Sequence, residues 1–237
     1  MTQLSRSRLA CAIAFALLPM TICAAAPETA NQNTYQVEMI VFSELTPDTL
    51  QSENWPLIQP ADYPMTDTND PRYQSFLDQI QFQSVPNTQF NLNKEQQKIE
   101  SSPSLQLIAH MAWQESVPNA KQVMPIRVFG GNVYDQQGHV LASNDADQDP
   151  QLTATNPVWQ LSGDITISLN HYFDTRFNLL FAEPKTTLPA AIQQYTTNSP
   201  FTYFHLLQTR RTKSGELNYI DNPLYRVLFI IKKINAS

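Results

Sequence analysis

The chain is poor in glycine, with five in 237 residues. Gly130, Gly131, Gly138, Gly163 and Gly215 cannot be arranged into G-x-G-x-x-G, a phosphate-binding P-loop or a G-x-S-x-G nucleophile elbow. Cysteine is scarcer still, with two residues, Cys11 and Cys23, both near the N-terminus. Charged residues make up only 15 %, and their balance is acidic, with a formal net charge of -6. That sign opposes nonspecific binding to nucleic acid. No apolar run reaches the ~20 residues that a membrane-spanning helix needs. What is present is a hydrophobic fraction of 42 %, ordinary for a globular protein and too high for a disordered one. The length suits one large domain or two small ones.

The first residues set the expected compartment. Arg6 and Arg8 precede an apolar run from Leu9 to Ala24, followed by small residues. This is the pattern of a cleavable secretory signal, with cleavage expected after Ala25. Two alternatives are a retained anchor, for which the run is short, and a lipoprotein modified at Cys23, for which Ile22 is a poor preceding residue. With residues 1–25 removed, no cysteine remains for a disulfide, a thiolate metal site or a nucleophile. Loss of Arg6 and Arg8 takes the net charge from -6 to -8. The expected organisation is a signal peptide over 1–25, a polar leader over 26–34 and a single domain over 35–237, periplasmic and without membrane insertion.

Residues 35–43 alternate and become apolar on both faces, which predicts a strand buried on both sides. Residues 44–69 carry four prolines and little periodicity, as an irregular surface excursion does. Asp70-Pro71 reads as an N-cap and first helical residue, with Tyr73, Phe76, Leu77 and Ile80 at helical spacing over 70–81. A second helix is expected over 93–101. Strands are expected over 105–114 and 125–134, the latter bulged or closely approached at Gly130-Gly131. Residues 165–181 hold period two for their whole length. They predict one long strand bent near His171 to Thr175, since the unbroken form would span roughly 55 Å at ~3.3 Å per residue. Residues 201–212 and 216–220 flank Lys213-Ser214-Gly215 and read as a hairpin, with a final strand over 225–234. The fold class is therefore α+β, a strand-rich antiparallel sheet with two short helices in the N-terminal half.

None of the four histidines, His110, His139, His171 and His205, has metal-ligand spacing, so structural roles are expected. Asp145, Asp147 and Asp149 alternate as calcium ligands do, but Pro150 and Asn156 replace the turn residue and the bidentate acid, which leaves a solvated loop. Trp113 is expected in the core, while Trp55 and Trp159 adjoin proline-containing loops and are open to a stacking role. The strongest cluster lies in the last 30 residues: Arg210, Arg211, Lys213, Glu216, Tyr219, Asp221 and Arg226. Arginine forks suit carboxylates of a peptide or a protein partner. The bland alternative is that Arg210 or Arg211 pairs with Glu216 across a hairpin.

Several segments carry a family resemblance: Tyr35–Phe42, Glu53–Pro56, His110–Gln114, Gly163–Tyr172 with Leu179-Leu180, and above all Arg210–Leu224. With these the chain resembles the CsiV family of exported peptidoglycan-binding proteins linked to cell shape. Asn218, Thr212, Asn222 and Arg226 depart from the residues usual in that family. The resemblance implies a soluble, non-catalytic factor without a cofactor, whose partners are peptidoglycan or cell-wall synthesis proteins. The expected contact residues are Arg210, Arg211, Glu216, Tyr219, Asp221 and Trp55. The rival reading is a protein-binding scaffold or regulator of an envelope complex. A wall hydrolase would need a carboxylate pair or metal in a cleft, and no spacing offers either.

Overall fold

The structure, a computed structural model, describes residues 33–46, 48–49, 56, 58–119, 123–142, 156–188 and 199–234. The expected signal segment and cleavage point, Trp55 and the Asp145, Asp147, Asp149 run lie outside the described residues.

Among the described residues ten strands form two five-stranded antiparallel sheets. In chain order they are β1 (Thr34–Ser43), β2 (Gln83–Ser84), β3 (Gln106–Ser116), β4 (Ile126–Tyr134), β5 (Val140–Ala142), β6 (Val158–Leu169), β7 (Phe173–Pro184), β8 (Phe201–Thr212), β9 (Leu217–Ile220) and β10 (Tyr225–Lys233). The first sheet has the order β2-β3-β1-β10-β9 and the second β5-β4-β6-β7-β8. α1 (Pro71–Gln79) and α2 (Asn93–Glu100) are α-helices. The class is the strand-rich α+β arrangement that the sequence predicts. Among the described residues no helix is long and apolar enough to cross a membrane.

Alternation in β1 explains how the layers stack. Tyr35, Val37, Met39 and Val41 enter a core that also holds Ile165, Phe177, Leu179 and Phe181 of the second sheet. Aromatic pairs bridge the sheets, with Phe181 stacked on Tyr225 at 3.7 Å and Phe177 edge-on to Phe229 at 4.9 Å. The opposite row of β1 is also covered: Ile40 and Phe42 pack with Leu92 and Ile99 beside α2. β1 is thus buried on both faces, as its sequence implies. α1 starts at Pro71, with the Asp70 carboxylate accepting from the Arg72 N–H, and buries Tyr73 and Phe76. Residues 58–69 cross the second sheet's outer face, where the Thr66 N–H donates to Asp164 Oδ2 at 2.9 Å and Tyr63 lies 3.8 Å from the His205 ring.

Glycines mark two close approaches. A Cβ on Gly130 would stand 2.6 Å from the Ala109 Cβ of the facing sheet, and Gly131 has φ +75 where the β4–β6 register shifts. At Gly163 a Cβ would meet the Leu179 Cδ2 at 2.5 Å and the Asn178 carbonyl oxygen at 2.7 Å. Gly163→Ala should therefore cost about 1–3 kcal/mol, read as a fall in urea midpoint without a change in slope. A neutral effect would show that β6 and β7 can move apart there.

Two expectations are corrected. Residues 165–181 are not one bent strand: β6 ends at Leu169, the chain reverses over 170–172, and β7 begins at Phe173. The register pairs Leu169 with Phe173, Ile167 with Thr175 and Ile165 with Phe177. A three-residue loop between opposed odd positions keeps the alternation in phase, so period two passes through the reversal unmarked. Nor do 201–212 and 216–220 form a hairpin. β8 pairs with β7 in the second sheet, and β9 pairs with β10 in the first. The Lys213–Glu216 turn carries the chain between sheets. Turn residues specify a change of direction, not the sheet that receives the next strand.

Candidate functional site

The strand register separates the predicted contact residues. Arg210 and Arg211 are exposed on β8, an edge strand among the described residues. Neighbouring strand residues point to opposite faces. Arg210 lies in the row of buried Phe204 and Leu206, Arg211 in the row of His205 and Leu207. The double arginine is therefore not one clamp. Glu216 pairs with neither: its carboxylate accepts from the Lys213 N–H at 3.2 Å, while Arg211 Nε lies 3.3 Å from Asp174 Oδ1. The cross-hairpin Arg–Glu pair is replaced by a β7–β8 pair because β9 belongs to the other sheet.

Arg211 has a second neighbour that sequence reading did not single out. Its guanidinium carbon lies 5.3 Å from the centroid of Tyr172, in the β6–β7 turn, and Lys213 Nζ lies 5.9 Å from the same centroid. Tyr172 is 39 % exposed. Two cations at the face of an exposed ring form an amphipathic patch, with a flat apolar surface beside donors for carboxylates.

Tyr219 and Asp221 belong elsewhere. The Tyr219 hydroxyl donates to Asp221 Oδ1 at 3.2 Å, Arg226 Nε donates to the same oxygen at 3.2 Å, and Arg226 also binds Glu44. Tyr219 stands opposite Leu228, which packs in the α2-side cluster, so it projects from the first sheet's outer face. Glu44 follows the last residue of β1, whereas Lys213 neighbours Ser214, whose hydroxyl oxygen accepts from the Lys233 N–H beside the start of β1. The two clusters thus sit at opposite ends of the sheets.

The end that carries Tyr172 also holds a cavity of about 240 Å³. Asn33 and Tyr35 enter it from the start of β1, Gln79 and Ile80 from the end of α1, Ser116 from the end of β3 and Leu169 from the end of β6. Backbone bonds hold these elements together: the Ser116 N–H donates to the Ile80 carbonyl at 2.6 Å, and the Leu169 N–H to the Pro118 carbonyl at 3.0 Å. Tyr35 meets Phe173 edge-on at 4.9 Å, which joins the cavity wall to the β6–β7 turn. Four separated segments build this site, so no linear spacing could announce it. Tyr172 carried only a weak signal, an aromatic residue inside what is now a turn.

Trp113 is buried. Trp159 pairs with Phe129 at 5.5 Å, and Arg127 lies over the Phe129 ring. His110 bridges Gln96 and Glu38, His139 meets Asp135, and His205 meets Asn178. Among the described residues no group of three His, Cys, Asp or Glu is placed to hold a metal ion. Glu183 is buried between the sheets and accepts from Gln160 and Tyr225; burial raises its pKa, and these hydrogen bonds offset part of the rise.

Fold and site define a strand-rich α+β domain with an open aromatic and cationic surface beside a small cavity. A family model described as "Peptidoglycan-binding protein, CsiV" matches residues 12–234, and the chain belongs to the CsiV family. No curated protein and no solved structure matches the chain.

Proposed function

We propose that this chain is a non-catalytic periplasmic protein that binds peptidoglycan and supports cell-wall assembly. The observation that carries the reading is Tyr172 with Arg211 and Lys213 at its ring. Peptidoglycan offers sugar C–H faces that suit the ring and peptide carboxylates that suit the cations. In an acidic protein such a patch supplies the local field that a net charge of -6 opposes. The family's description as peptidoglycan-binding supports the ligand, and the Leu9–Ala24 run supports export.

Co-sedimentation with purified sacculi tests the proposal. Binding should weaken as salt rises, and Arg211→Ala with Lys213→Ala should reduce it about tenfold, since a hydrogen bond to a charged group is worth about 1.5–3 kcal/mol. Both side chains lie at the surface, so the melting temperature should hold. Unchanged binding by the folded double variant would move the contact away from this patch. Tyr219→Ala serves as the comparison at the other end and should bind normally.

A second reading, a protein-binding scaffold in an envelope complex, draws on Leu217 and Tyr219, both exposed in one row of β9. Crosslinking in cells through position 217 should then capture a wall-synthesis protein while sacculi fail to pellet the chain.

A further inference from the structure

Residues 58–69 cover part of the second sheet's outer face, where Thr66 meets Asp164 and the Asn178 amide donates to Met65 Sδ at 3.7 Å. Strand register fixes what lies beyond them. Asp164, Asn178 and Leu207 share one cross-strand row, Thr166, Arg176 and Thr209 the next, and Ser168, Asp174 and Arg211 the one after. The alternate residues Thr175 and Phe177 are buried, so these rows project away from the core. Arg176 is exposed, one row past the covered stretch, with Thr166 and Thr209 opposite it on either side. Among the described residues no carboxylate pairs with it, whereas Asp174 lies 3.3 Å from Arg211 Nε and Glu216 accepts from the Lys213 N–H.

Arg176 and Arg211 are diagonal neighbours on β7 and β8, which sets their Cβ atoms about 7–8 Å apart. Lys213 and the Tyr172 ring continue the strip past Arg211. One carboxylate at Arg211 and Lys213 would leave Arg176 unused. Successive rows on one face are two residues, or roughly 7 Å, apart, and an extended peptide repeats at the same spacing. Carboxylates two residues apart on such a peptide therefore reach both positions, and arginine suits each of them. The N-acetylated sugars of the wall carry no charge, while its stem peptides carry free carboxylates on more than one residue. We infer that the Tyr172 site extends along the outer face to Arg176 and takes an extended stem peptide, with one carboxylate at Arg211 and Lys213 and a second at Arg176. The inference rests on the peptidoglycan-binding reading; it names the part of the polymer that is held and adds Arg176 as a contact residue.

The test is an amide NMR titration of the purified chain with three probes in separate arms. They are the stem tetrapeptide L-alanyl-γ-D-glutamyl-meso-diaminopimelyl-D-alanine, D-alanyl-D-alanine with its single carboxylate, and inorganic phosphate. The tetrapeptide should give saturable shifts at Thr166, Arg176 and Thr209 as well as at Tyr172, and bind about tenfold tighter than the dipeptide or phosphate. Arg176→Ala should bring the tetrapeptide down to the level of the dipeptide, a loss of about tenfold, and Arg176→Lys should restore part of it. Arg176 is exposed, so the melting temperature should hold in both variants. Tetrapeptide affinity unchanged by Arg176→Ala, or matched by phosphate, overturns the inference. Sacculus pelleting without tetrapeptide binding would refute the stem contact and leave the wall-binding reading standing. Arg176-dependent tetrapeptide binding without pelleting would uphold the peptide site and refute binding to the assembled wall.

Discussion

Glu38→Ala should cost about 3–5 kcal/mol of stability, because it leaves the buried donors of Asn91, Leu92 and His110 without their acceptor, at about 1–3 kcal/mol each. Glu38 projects from the α2 side of β1 and is 0 % exposed. One carboxylate oxygen accepts from the Asn91 N–H at 2.7 Å and from the Asn91 side-chain amide at 3.0 Å. The other accepts from the Leu92 N–H at 2.7 Å and lies 2.9 Å from His110 Nε2. The N-cap position of α2 is Leu92, which has no capping side chain. A carboxylate from a strand 54 residues away therefore takes the place of the local cap, at the end of the helix that favours negative charge. Burial alone raises the Glu38 pKa, but His110, Asn91 and Leu92 outweigh it and hold the carboxyl below its ordinary value. The stability this contributes is present above the unfolded value of 4.5 and is lost as pH falls through the lowered folded value. Urea unfolding should show the deficit of the alanine variant near neutral pH and a narrowing deficit in acid. Hydrogen exchange should show lost protection at Leu92. A cost below about 1 kcal/mol would mean that water can replace the carboxylate.

Glu115→Gln should have the opposite sign, stabilising the protein increasingly as pH rises. Glu115 is 1 % exposed at the end of β3, opposite Tyr35, and its Oε1 has no hydrogen-bond partner among the described residues. Burial pushes its carboxyl up to about 8, with only the neighbouring Trp113 indole acting against the rise. An acid with a raised folded pKa favours the folded state below the unfolded value of 4.5, and that advantage is lost as pH rises from 4.5 to about 8. The loss by pH 8 is on the order of 4 kcal/mol. Glutamine keeps the shape and an acceptor oxygen but cannot ionise. The variant and the parent should match near pH 4 and diverge above it, read as unfolding free energy at successive pH values. Glu183 is also raised by burial and should leave part of the alkaline slope in place. Equal pH dependence in variant and parent would show that Glu115 reaches water when it ionises.

The elements whose partners lie close in sequence were legible beforehand. The Asp70-Pro71 start of α1 rests on a cap one turn long, and the run of apolar residues in β1 shows two buried faces without reference to what covers them. Trp113 sits in an alternating apolar strand and is buried accordingly. The β6–β7 reversal was not legible, because Leu169 opposite Phe173 keeps odd residues inward on both sides of the turn.

The candidate site divides in the same way. Composition and the scarcity of glycine set the limits on chemistry, and the Arg210–Leu224 segment carried the family resemblance. Side-chain identity alone determines those. The grouping of residues was decided by sheet assignment. Because β9 joins the first sheet, Glu216, Tyr219 and Asp221 part from Arg211, which instead meets Asp174 and Tyr172. The cavity and the capping of α2 by Glu38 also depend on strands brought together from distant parts of the chain. Local sequence sets which face of a strand is apolar and where the chain turns. Which strands become neighbours is decided by burying those faces together, and that is a property of the whole core.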